Sequence, residues 1–142
     1  MERRSGAAGH RCVPHTADVR IEAWAPSREE CLAEAVTALV DTFADTTRAR
    51  PSGSAGFRVP PADGPDLLVA LLDEVVYRLD TTGELPLRTE VTADDGGLRV
   101  HWTTTGTDAV ELTGAVPKAV SLHELHLAED PAGWSCAVTL DV

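Results

Sequence analysis

The chain has 142 residues, with 12 basic against 23 acidic side chains for a net charge of −11, and is 43% hydrophobic and 25% charged. That length fits one domain that buries a core without a stapling metal or disulfide, and the composition is globular rather than disordered or fibrous. No apolar run approaches the roughly 18 residues of a membrane span, and the negative field opposes broad binding of phosphate backbones, so neither a membrane nor stable direct nucleic-acid binding is expected.

The opening MERRSGAAGH carries an arginine pair with no apolar segment behind it. It does not read as a secretory signal, and a cytoplasmic protein is expected. Residues 1–9 read as a loose tail ahead of a domain over 10–142. From Val19 to Ala25 apolar and polar residues alternate, the pattern of a half-buried strand. Pro26 ends it. Ser27 and Glu30 then fit a capping box, and Cys31, Leu32, Ala35, Val36, Leu39, Val40 and Phe43 recur at helical spacing. This predicts a helix over about 27–44.

Residues 46–56 are turn-rich and predict a surface loop, with a short strand at 57–59. A second amphipathic helix is predicted over 66–80, with Asp63 or Asp66 as its cap and Gly83 just past its end. The remainder reads as two hairpins. Strands at 87–93 and 98–104 flank Asp94, Asp95, Gly96 and Gly97, and strands at 118–127 and 134–142 flank a turn at 129–133. The fold class is therefore α+β: two amphipathic helices packed on a largely antiparallel sheet.

Few residues carry chemistry. Cys12, Cys31 and Cys136 are odd in number and scattered, so neither a disulfide framework nor a thiolate zinc site follows. Asp18 opens the first long strand and Asp141 nearly closes the last, beside Val142 with its main-chain carbonyl and α-carboxylate. If those strands pair, their hard oxygens would suit Ca²⁺, Mg²⁺ or Mn²⁺. Two solvated strand-end aspartates are the plain alternative. His123 and His126 fall one residue short of the zinc-protease spacing. In a strand, residues three apart face opposite sides, so one buried and one exposed histidine is expected. His15 near Asp18 has the look of an acid–base pair but lacks a nucleophile motif. Lys118 is the chain's one lysine against eleven arginines. No phosphate-cradling, dinucleotide or nucleophile-elbow glycine motif is present.

In sequence order, His15 to Val19 (HTADV), the capped helix after Pro26, the helix LLVALLDEVVYRLD, Lys118 to His123 (KAVSLH), the hairpin with Gly133 and Trp134, and the closing Thr139 to Val142 (TLDV) together resemble the archease family. The resemblance implies a non-enzymatic activator of the tRNA-splicing RNA ligase, the GTP- and Mn²⁺-dependent enzyme joining 2′,3′-cyclic phosphate or 3′-phosphate RNA ends to 5′-hydroxyl ends. Such activators promote ligase guanylylation and multiple turnover, and they bind a divalent cation, often calcium. By that resemblance the metal ligands are Asp18, Asp141 and the main-chain oxygen of Val142, while Lys118, His15 and His123 serve partner activation. Two positions depart from the family pattern: Arg20 stands where a glycine is usual, and Leu122 where an aromatic is usual. A small metal-dependent phosphate-ester hydrolase, with His15 as base, and a general chaperone of nucleic-acid-modifying enzymes are the alternative functions.

Overall fold

Pro26 has no N–H to continue a strand, and Ser27 Oγ accepts the Glu30 N–H at 3.2 Å, so the chain passes from strand to helix within two residues. The computed structural model describes residues 7–15 and 18–142, without the side chains of Val13, Pro14 and His15. Around that turn stand β1 (Gly9–His15), β2 (Asp18–Ala25) and α1 (Arg28–Asp41). There follow β3 (Ala44–Asp45), β4 (Gly53–Val59), α2 (Gly64–Thr82), β5 (Glu84–Asp94) and β6 (Gly97–Gly106). A single 3₁₀ turn leads to β7 (Glu111–Leu112), β8 (Ala119–Asp130) and β9 (Gly133–Asp141). Every described strand pairing is antiparallel. The order is β1-β2-β9-β8 in one sheet and β4-β6-β5 in another, with β3 and β7 forming a short ribbon. The expected α+β class holds, with the strands divided between sheets that share one core.

That core explains the division. Ile21, Ala23 and Ala25 of β2 and Cys136, Val138 and Leu140 of β9 point inward with Leu32, Val36 and Leu39 of α1. From the second sheet Leu85, Leu98, Val100 and Trp102 meet the stripe Leu68, Leu71, Leu72 and Val75 of α2. Each large side chain among them contributes about 1.5–3 kcal/mol on burial, so the inward alternation fixes the register of β2 against β9.

Several boundaries differ from expectation for identifiable reasons. The first helix stops at Asp41, because Thr42 Oγ1 and the Thr42 N–H both turn back to the Leu39 carbonyl, at 2.7 and 3.2 Å. That tight turn drops Phe43 into the core and starts β3. The predicted loop yields residues 53–56 to β4, whose glycines and serine pair with β6 despite weak strand propensity. The second helix begins earlier than predicted. Asp63 occupies the cap position without a side-chain cap bond, Pro65 sits in the first turn, and Gly83 closes the helix at φ 71°. Asp95 (φ 48°) and Gly96 (φ 85°) make the predicted two-residue hairpin turn.

β1 has no counterpart among the expected strands. Of the expected tail, residues 1–6 lie outside the described residues, while Gly9 opens β1 with Trp24 packed so closely that a Cβ there would meet the indole at 2.6 Å. β1 is fastened to α1 by His10, whose Nδ1 lies 2.8 Å from Glu34 Oε2 and whose Nε2 lies 2.8 Å from Asp41 Oδ2. The hydrogen bonds to Asp41 and then Glu34 outweigh burial and raise the His10 pKa from 6.5 to about 9. A raised histidine stabilises fully below its unfolded value and loses that contribution as pH climbs through the folded one. Urea titrations should therefore show His10→Gln less stable by roughly 1–2 kcal/mol near pH 6, discounted for partial exposure. The gap should close above about pH 9. A gap independent of pH would contradict this account.

Candidate functional site: an acidic strand end beside an edge strand

In an antiparallel pair, residues directly opposite share a face, with Cβ atoms about 4.5–5.5 Å apart. Asp18 lies opposite Asp141 in the β2–β9 register, and Asp141 lies opposite Ala119 in the β9–β8 register. The Lys118 N–H donates to the Asp141 carbonyl at 2.7 Å, tying the start of β8 to the same spot. Asp18 is partly buried, Asp141 and Lys118 are exposed, and Val142 follows at once. Residues far apart in the chain are thus gathered at one sheet end. Two like charges placed opposite each other across strands destabilise by roughly 0.2–1 kcal/mol. A hard cation between them would relieve that repulsion.

The oxygen chemistry fits a divalent ion that accepts carboxylate, main-chain and water ligands. The side chains alone do not enclose one. Among the described residues there is no group of three or more His, Cys, Asp or Glu side chains placed to hold a metal. Main-chain oxygen and water would have to complete the shell. Of His15, only the backbone pairing with Asp18 is placed; its side chain and residues Thr16 and Ala17 lie outside the described residues.

Both His123 and His126 are exposed, against the expectation of one in and one out. The β8–β9 register breaks between Ser121 and His126, and Glu124 adopts φ 55°. This bulge resets the alternation on which the face argument depends. His123 stands 79% exposed with Nε2 3.6 Å from Glu124 Oε1, and among the described residues no hydrogen bond or ion pair joins it to the acidic pair. His126 instead meets Ser135 Oγ at 3.3 Å.

Arg20 spans the same region. Its guanidinium donates to Thr139 Oγ1 at 3.2 Å and to the Glu124 carbonyl at 3.1 Å, with Glu124 Oε2 at 3.9 Å. It therefore crosses β9 to brace the bulge, close along the sheet to the carboxylate pair. Sequence patterning has no means of showing this bulge, since no glycine marks it.

The cysteines form no disulfide: Cys12 is exposed and free, while Cys31 and Cys136 are buried thiols. Hydrogen bonding with Cys31 and then burial push the Cys136 thiol up, which suits core packing rather than nucleophilic chemistry. No described helix is long and apolar enough to cross a membrane.

Fold and site together define a small α+β protein with a two-carboxylate tip and no catalytic triad or metal-binding side-chain cluster among its described residues. Residues 10–142 match the Archease protein family, and the chain belongs to that family. A protein of Mycobacterium tuberculosis called a probable protein archease is 48% identical over 136 residues, which covers 96% of this chain and 76% of that one. Protein archease of Archaeoglobus fulgidus is 26% identical over 135 residues, covering 94% and 98%. The fold is shared with the solution structure of protein 1598 of Methanobacterium thermoautotrophicum, at TM-score 0.71 and 24% identity over 94% of this chain and 99% of that one. It is shared too with the crystal structure of a Thermotoga maritima archease described as a possible chaperone, at TM-score 0.67 and 20% identity over 92% and 94%.

Arg20→Ala removes one side-chain hydrogen bond to the bulge, at the Glu124 carbonyl, and one to Thr139 of β9, and should cost on the order of 1–2 kcal/mol. Amide exchange should accelerate most at residues 123–126. Uniform acceleration over the whole sheet would show that Arg20 supports the fold at large rather than the bulge.

Proposed function

We propose that this protein is a divalent-metal-binding activator of the tRNA-splicing RNA ligase, promoting guanylylation and multiple turnover of that GTP- and Mn²⁺-dependent enzyme in the cytoplasm. It contributes no catalytic residue of its own. Asp18, Asp141 and the main-chain oxygen of Val142 hold the cation, with calcium the leading candidate and Mg²⁺ or Mn²⁺ chemically admissible. Lys118, His15 and His123 serve the partner. The observation that carries the reading is the direct opposition of Asp18 and Asp141, with Lys118 bonded through its backbone to Asp141. Membership of the archease family supports it. The charge of −11 favours encounter with a basic RNA- and nucleotide-binding cleft over capture of RNA itself.

Separate measurements test the cation and the partner. Calcium titrations should show Asp18→Ala and Asp141→Ala binding at least tenfold more weakly than wild type. Without metal, Asp141→Asn should match or slightly exceed wild-type stability, because cross-strand repulsion is gone. Added calcium should raise the thermal midpoint of wild type only. In ligase guanylylation assays wild-type protein should accelerate the reaction, and Asp18→Ala should lose the effect. Lys118→Ala should impair activation while keeping cation affinity. Equal guanylylation rates with and without wild-type protein would end the proposal.

A further inference from the structure

Ile21, Ala23, Cys136, Val138 and Leu140 point into the core, so Asp18, Arg20, Thr139 and Asp141 share the opposite face of the first sheet. Across that face the strands form rungs. Asp18, Asp141 and Ala119 make one, and Arg20, Thr139 and Ser121 make the next. Successive rungs on one face lie two residues apart along the strand, which is about 6.8 Å. A positive charge therefore stands one rung from the two carboxylates.

That charge is held in place. The Arg20 side chain is only 21% exposed, and its guanidinium donates to Thr139 Oγ1 at 3.2 Å and to the Glu124 carbonyl at 3.1 Å. Both bonds draw it over β9, the strand that carries Asp141. Glu124 offsets it in part, through Oε2 at 3.9 Å on a side chain that is 64% exposed. An arginine does not deprotonate in a protein, so the charge stays when a cation arrives. Coulomb repulsion between a divalent ion at the acidic pair and a guanidinium one rung away, screened at about 0.1 M salt, weakens binding roughly three- to tenfold. With no ion present, the same guanidinium attracts both carboxylates. It favours the empty tip and disfavours the filled one.

We propose that Arg20 is a built-in counter-charge that sets the cation affinity of the Asp18–Asp141 tip, holding it below what the oxygen ligands alone would give. This rests on the cation site of the activator reading and adds to it the residue that decides at what concentration the site fills. Arg20 supplies no ligand. It acts through space, and its brace on the bulge is separable from its charge.

The test is calorimetric titration of calcium into wild type, Arg20→Gln and Arg20→Lys. It is run at about 0.1 M and about 1 M KCl, where the Debye length falls from about 10 Å to about 3 Å. Arg20→Gln should bind calcium about three- to tenfold more tightly than wild type at low salt, and the gap should close at high salt. Arg20→Lys keeps the charge but loses the planar fork, and should stay within about twofold of wild type. Without metal, Asp141→Asn should raise the thermal midpoint more in the Arg20→Gln background than in wild type. Equal calcium affinity of wild type and Arg20→Gln overturns the counter-charge and leaves the cation site standing. A gain that Arg20→Lys shares, or that survives high salt, assigns the effect to the bulge and likewise overturns it. Calcium binding by none of the three proteins overturns both readings.

Discussion

The register of β2 against β9 governs the rest of the molecule. Ile21, Ala23 and Ala25 must face inward together with Cys136, Val138 and Leu140, and a slip of one residue would turn each set to solvent. Burial of Ile21, Val138 and Leu140 at about 1.5–3 kcal/mol apiece far exceeds the roughly 0.2–1 kcal/mol at stake between opposed carboxylates. Core packing therefore sets Asp18 against Asp141 whether or not a cation is bound. The tip is preorganised by the apolar packing of β2 and β9 rather than by the carboxylates themselves.

The elements with strong periodicity are legible in the amino-acid pattern alone. Alternation in β2, the stripes of both helices and the turn at Asp95 and Gly96 need no tertiary information. β1 is not legible in this way, because GHRCVPH has no clean alternation and is held by His10 across to α1, a contact that no local pattern encodes. The first half of β4 is hidden for the opposite reason, since glycine and serine signal a turn unless β6 is already alongside. At the site, the meeting of Asp18 and Asp141 is readable only as contingent on strand pairing. His123 and His126 show the limit of parity, which fails once a bulge intervenes.

That bulge also bears on how the surface is arranged. β8 is an edge strand, and a regular edge invites pairing with another chain. Its irregular stretch between Ser121 and His126, with Glu124 at φ 55°, interrupts that template. Holding a non-glycine residue in this region costs of order 1–3 kcal/mol unless neighbours impose it. Arg20 is such a neighbour, through its bond to the Glu124 carbonyl. Arg20 reaches Glu124 by crossing β9, where it also donates to Thr139.

β8 is thus restrained at two points by different means: its start by the backbone bond from Lys118 to Asp141, its middle by Arg20. Between them Leu122 is 69% exposed and His123 projects beside it, neither contributing to the core. Fixing a backbone while leaving its side chains free lowers the ordering cost of any later association, because the chain conformation is already set. Along this edge, then, the carboxylates take positions dictated by the core, and the exposed side chains of β8 stand on a backbone already restrained at its start and its middle.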